Sequence, residues 1–158
     1  MGLLFLITAF LLIDLGIKDT IERTEDDKFP VEIEETGGMV VLHKNHNPGF
    51  PFGFLEKYPK LVTQLPLVVV SMTAGAFLWM AGKKGHKTEK LGLAMVLSGG
   101  LSNLYDRLVR GYVVDYFSIR WKSLKKVVFN LGDILIFAGT ALVFLSQVAE
   151  MIGDFRRK

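Results

Sequence analysis

The chain has 158 residues, a net charge of +3, 50% hydrophobic residues and a mean hydropathy of +0.34. A soluble domain of this size is more polar, and here the charges fall in blocks between long apolar runs, the pattern of a small polytopic membrane protein. The lack of cysteine excludes disulfides, thiolate metal sites and cysteine nucleophiles, and basic residues beside apolar segments point to lipid headgroups as partners, with no nucleic acid.

Four apolar stretches follow one another. The first starts at Gly2 and is uncharged until Asp14. It lacks the basic start and small-residue cleavage site of a secretory leader. The second, Leu61 to Met80, contains Pro66 and no charge; it has no polar face at helical periodicity, which argues against a soluble core helix. The third, Leu91 to Leu104, is short and rich in Gly and Ser, and the fourth runs from Phe129 to Met151 with Asp133 near its start. A hydrocarbon core of ~30 Å needs roughly 20 helical residues, so the first and third must extend through polar residues. The expected architecture is an α-helical polytopic membrane protein, one domain over residues 1–158. Its four transmembrane helices fall at about 2–18, 61–81, 90–106 and 129–151, with extracytoplasmic segments at about 19–60 and 107–128.

Orientation follows from the basic residues near the spans. Lys83, Lys84, Lys87 and Lys90, and the tail Arg156, Arg157 and Lys158, place both termini in the cytoplasm. The acidic run from Glu22 to Glu35 suits the outer side. The link from Arg107 to Lys126 lies outside in this topology yet is basic, against the rule; Arg110, Arg120, Lys122, Lys125 and Lys126 are assigned there to anionic headgroups. Ile21 to Glu35 reads as a polar, mobile segment. Gly38 to Leu42 and the alternating Gly111 to Trp121 read as strands of a small outer sheet, with Trp121, Tyr112 and Tyr116 as an interfacial aromatic belt.

Ionisable residues at membrane depth are costly and mark functional sites by default. Asp14, Asp106, Asp115 and Asp133 all fall at the outer ends of their spans or just beyond. Asn103 and Arg107 share a helical face, as do Asn130 with Asp133 and Asp14 with Lys18. Asp115, on the returning strand, can come over Asp133. Two close carboxylates in low dielectric share a proton and titrate as a unit, and such a pair can activate water for peptide hydrolysis.

The runs Asn103-Leu104-Tyr105-Asp106-Arg107, Gly111-Tyr112-Val113-Val114-Asp115-Tyr116-Phe117 and Phe129-Asn130-Leu131-Gly132-Asp133 resemble the signature of signal peptidase II, the bacterial lipoprotein signal peptidases. Asp14 with Lys18 matches the family's first-helix motif, and Asn47-Pro48-Gly49-Phe50-Pro51-Phe52-Gly53 is similar to its Asn-x-Gly-x-x-Phe-Gly segment. The resemblance covers nearly the whole chain in the right order. It implies four transmembrane helices in the bacterial cytoplasmic membrane, an extracytoplasmic sheet, and an aspartic dyad that removes the signal peptide of a prolipoprotein just before a diacylglyceryl-modified cysteine. It further implies a dyad on Asp115 and Asp133. Asn103, Arg107 and Asn130 would support the dyad and the substrate, and Asn47 and Gly49 would come from a segment covering the cleft. Asp14 and Lys18 would form a structural pair, and Asp106 would brace Arg107. No metal or cofactor is implied, and a monomer is expected.

The chain departs from the family pattern at Leu15, at Phe50-Pro51, at Gly132 (usually Ala) and at Ile134. A divergent member with another substrate, an inactive relative that binds lipoproteins, and a small transporter subunit are the rival readings. His43 and His46 read as surface histidines and not as metal ligands. The Lys83 to Lys90 cluster reads as a topology anchor.

Overall fold

The structure, a computed structural model, describes residues 2–50, 54–122 and 127–157. Pro51, Phe52, Gly53, Lys125, Lys126 and Lys158, all used in the sequence reading, lie outside the described residues. Four helices alternate with a three-stranded antiparallel sheet: α1 (Gly2–Arg23), β1 (Val31–Glu32), β2 (Val40–Asn47), α2 (Pro59–Ala81), α3 (Lys87–Val109), β3 (Val113–Ile119) and α4 (Leu131–Arg156), with sheet order β1-β2-β3. The expected strands are present but shifted. The Gly-Gly turn holds both glycines at positive φ, so the strand after it begins at Val40 and runs on to Asn47. The segment expected to be mobile is built into the fold instead. α1 continues to Arg23 and buries Ile21, and two short 3₁₀ turns flank β1. Lys44 Nζ donates to Asp26 Oδ1 at 2.7 Å and to the Thr24 carbonyl at 3.0 Å, which holds the segment to β2.

Among the described residues two helices, α2 and α4, are long and apolar enough to cross a membrane. Only 17% and 11% of their most apolar windows are buried within the protein, the reverse of a soluble core helix. Phe137, Phe144, Met72, Leu78 and Trp79 all face outward. α1 and α3 carry more polar residues, of which Asp14, Lys18, Ser98, Ser102, Asn103 and Asp106 are buried. α3 is the central element, packed against α1, α2 and α4. One apolar cluster (Ile7, Phe77, Ala94, Leu97) joins the first three helices, and a second (Ile21, Val114, Tyr116) seats the sheet on α1.

The contact between α3 and α4 requires glycine. A Cβ at Gly99 would stand 2.1 Å from the Gly132 carbonyl oxygen, and one at Gly92 would stand 2.6 Å from that of Gly139. In lipid, where apolar burial supplies little drive between helices, such close backbone approach is how helices pack. At the end of α3 far from the sheet, Glu89 is buried, accepts from Ser146 Oγ of α4 at 2.9 Å and lies 3.4 Å from His86 Nδ1. The sequence reading took this stretch only as a basic anchor; a glutamate one turn into a helix gives no local sign that a facing serine will cover it.

Gly99→Ala is therefore expected to destabilise the protein by ~1–3 kcal/mol or more through overpacking. Gly75→Ala, with nothing within 4 Å of the added Cβ, should leave stability nearly unchanged. Thermal midpoints of the two purified variants in one detergent check the pair.

Candidate active site

At the sheet end of the bundle, the last turns of α1 and α3, the start of α4 and strands β2 and β3 converge. Two polar systems lie there, joined through Asn103. The first is built on Lys18, fully buried, whose Nζ lies 2.9 Å from Asp14 Oδ2 and 3.1 Å from Asp106 Oδ2. Asp14 and Lys18 are four apart on α1 and so share a face. The ammonium also donates to Ser102 Oγ at 3.1 Å and to Asn103 Oδ1 at 2.8 Å. Each carboxylate is completed by further donors. Asp14 accepts from Ser102 Oγ (2.5 Å) and the Tyr116 hydroxyl (2.9 Å); Asp106 accepts from Arg110 Nη1 (2.6 Å) and the Val114 N–H (3.1 Å). Buried charges persist only when paired and hydrogen-bonded in this way.

The second system holds Asp115 and Asp133 and is made of amides. Asn130 is the N-cap of α4 and forms a capping box: its Oδ1 accepts from the Asp133 N–H at 2.9 Å, and its own N–H donates to Asp133 Oδ2 at 3.2 Å. The remaining Asn130 group, Nδ2, donates to Asp115 Oδ1 at 2.7 Å. One asparagine thus bridges both acids. Asn103 Nδ2 donates to Asp133 Oδ1 at 2.8 Å, and Asn47 Nδ2 donates to Asp115 Oδ2 at 3.0 Å. Asn47 pairs with Val113, two residues from Asp115, so both side chains stand on one side of the sheet, after a register shift between Leu42 and Asn45. Among the described residues neither Asp115 nor Asp133 forms a salt bridge. Asp115 is buried, and burial together with the neighbouring Asp133 charge pushes its pKa up to about 7, against the Asn47 and Asn130 bonds that pull it down.

Arg107 covers this pair. Its Nη1 donates to the Asn103 carbonyl and its Nη2 to the Gly49 carbonyl, each at 3.3 Å, and its guanidinium lies 5.2 Å from the Phe50 ring centroid. Its Nε is buried with no partner among the described residues. Asn47 Oδ1 accepts from the Gly49 N–H at 3.0 Å, closing the turn that sets the Gly49 carbonyl toward Arg107.

The sequence-derived residues therefore come together, with two corrections. Asp106 does not pair with Arg107: consecutive helical residues point about 100° apart, whereas Arg110, four residues on, shares its face and takes the bond. Arg110 pairs with Asp106 and Arg120 with Glu32, each at 2.6 Å, the second pair half exposed. Tyr116 is not part of a surface aromatic belt; it is 5% exposed, its hydroxyl inside the first polar system, while Trp121 is 61% exposed. Sequence reasoning missed Ser102 and Tyr116. Ser102 lies four residues before Asp106, which was a usable signal; Tyr116 meets Asp14 across 102 residues of chain, which was not.

Four helices with a small sheet at one end, where two carboxylates meet, make up the fold. Two solved structures described as bacterial membrane enzymes share it: one has a TM-score of 0.81 at 16% identity over 95% of this chain and 89% of that one, the other 0.75 at 17% identity over 92% of each. The chain belongs to the signal peptidase II family, whose pattern matches residues 6–149, and it is accordingly an aspartic-type peptidase. It is 29% identical over 144 residues to a lipoprotein signal peptidase of Allorhizobium ampelinum, covering 90% of this chain and 85% of that one. A lipoprotein signal peptidase of Brucella ovis is 30% identical over 145 residues, 91% and 88% of the two chains.

Lys18→Met would leave Asp14 and Asp106 buried with their central cation removed. A loss of ~3–5 kcal/mol is expected, read as a lowered unfolding midpoint in a detergent titration.

Proposed function

We propose that this protein is an intramembrane endopeptidase that removes the signal peptide of lipid-modified prolipoproteins, cutting just before the diacylglyceryl-cysteine with water activated by Asp115 and Asp133. The observation that carries the reading is the amide-held carboxylate pair: a buried Asp115 and a half-buried Asp133 bridged by one asparagine, with no cation paired to either among the described residues. A pair so placed holds one proton between two carboxylates. The ionised member takes a proton from a bound water, and the water oxygen attacks the scissile carbonyl carbon. The protonated member donates its hydrogen bond, then its proton, to the carbonyl oxygen. Collapse of the tetrahedral species breaks the C–N bond: the proton taken from water goes to the leaving amine, and one diol hydroxyl returns its proton to the other carboxylate, restoring the shared proton. Asn47 and Asn130 donate to Asp115, and Asn103 and the Asn130 N–H to Asp133, which orients both carboxylates for the water. Arg107, whose Nη2 donates to the Gly49 carbonyl, is assigned with Gly49 to the substrate backbone.

In this reading all four helices cross the bacterial cytoplasmic membrane as one monomeric domain, α1 and α3 with their polar faces turned inward. Both termini are cytoplasmic and the carboxylate pair lies toward the outer face. Asp14, Lys18 and Asp106 are structural. Lys122, beside Trp121, together with Lys125 and Lys126, meets anionic headgroups. The transporter reading is disfavoured because the two cation-free acids lie together at one end, and the buried acid at the other end, Glu89, is covered by Ser146 and His86.

Asp115→Asn and Asp133→Asn are each expected to lower kcat by roughly 10³-fold or more while the thermal midpoint stays near wild type. The assay is cleavage of a diacylglyceryl-cysteine peptide by purified protein, with the unlipidated peptide uncut. Substantial cleavage by either variant would overturn the dyad assignment. Because one proton must stay on the pair, kcat/KM should fall as pH rises through about 7, where the free enzyme loses that proton; a profile flat to pH ~9 would contradict it.

A further inference from the structure

We propose that Tyr116 is a positioning residue for the carboxylate pair: its hydroxyl fixes the start of α4, and with it Asn130 and Asp133, against β3 and α1. The proposal rests on the peptidase reading above. Tyr116 directly follows Asp115 on β3 and holds the entry to α4 at two points. Its N–H donates to the Phe129 carbonyl at 2.8 Å, and its hydroxyl accepts from the Leu131 N–H at 2.9 Å. Asn130, which bridges the two acids, lies between those anchor points. The Leu131 N–H belongs to the first turn of α4, where backbone donors have no partner within the helix, so the phenol oxygen satisfies a group that would otherwise be orphaned.

The same hydroxyl donates to Asp14 Oδ1 at 2.9 Å. Burial, and the Asp14 carboxylate beside it, raise the phenol's pKa far above its ordinary range, so it remains a donor at every working pH. From Asp14 the path returns to the site. Asp14 Oδ2 holds Lys18, Lys18 fixes Asn103 Oδ1, and the other end of that amide donates to Asp133. Asp115, Tyr116, Asp14, Lys18, Asn103, Asp133 and Asn130 thus form a closed ring; it passes from the strand to α1 at Tyr116, whose bond from Leu131 ties the same hydroxyl to α4.

Gly132 belongs to the same arrangement. A Cβ there would stand 3.1 Å from Asp14 Oδ2 and 3.0 Å from Asn130 Oδ1. Its absence leaves room for the Asp14 carboxylate to reach between Tyr116 and the start of α4.

Tyr116→Phe keeps the ring and removes only the hydroxyl. In purified protein acting on the lipidated peptide, kcat is expected to fall about 10-fold or more with KM within about twofold. The fall of kcat/KM with pH should also move from its wild-type position, because the bonds holding Asp115 and Asp133 relax. A variant with wild-type kcat and pH profile, whether or not its melting temperature drops, would overturn the proposal, since a merely structural hydroxyl moves stability alone. If the variant is lost on extraction, the same ratio is measured in native membranes, with the same two outcomes. Failure of the wild type itself to cut the lipidated peptide would sink the peptidase reading and this proposal with it. Wild-type cleavage with an unchanged variant sinks this proposal alone.

Discussion

The arrangement depends on a lysine with no access to water. Lys18 sits between Asp14 and Asp106 and shares its three N–H groups among their oxygens, Ser102 Oγ and Asn103 Oδ1, linking α1 to the final turns of α3. Desolvating one ammonium and two carboxylates is expensive, and the cluster is tolerable only because Arg110, Tyr116, Ser102 and the Val114 N–H complete the oxygens. A cluster this demanding has few alternative geometries, which is why it can serve as a reference for the groups around it.

Its presence also sorts the acids of the site. Asp14 pairs directly with Lys18, and Asp106 with both Lys18 and Arg110. Asp115 and Asp133 receive amide donors, which orient a carboxylate without supplying a full opposing charge. Low dielectric and mutual proximity then act on that pair unopposed by a salt bridge, and Asp115 is pushed up to about 7. Asn103 belongs to both systems, with its oxygen on Lys18 and its nitrogen on Asp133, so the ion cluster fixes which way round that amide stands.

The rest of the fold accommodates this polar end inside an apolar exterior. α2 and α4 present side chains such as Phe137 and Met72 outward, and α3, lined with Gly and Ser, lets its neighbours approach to backbone contact. The sheet closes the end where the helices are most polar. Its register shift between Leu42 and Asn45 puts Asn47 on the Asp115 side of β2.

Much of this was legible in the sequence because local spacing carried it. Apolar runs gave the helices, alternation gave β3, i,i+3 and i,i+4 spacing gave Asp14 with Lys18 and Asn130 with Asp133, and acids at helix ends marked one face of the bundle. What the sequence could not settle was the choice among partners once several charges share a small volume. Adjacent numbering suggested Arg107 for Asp106, and helical geometry chose Arg110. Aromatic character suggested a surface belt for Tyr116, and the approach of α1 to β3 put its hydroxyl on Asp14. By itself the sequence determined the elements, their order and the set of reactive side chains, since those follow from periodicity and residue chemistry along the chain. Only the tertiary structure decided which carboxylates are paired to cations and which are held by amides alone. That division depends on distances between residues as much as 102 positions apart, and chain spacing does not encode them.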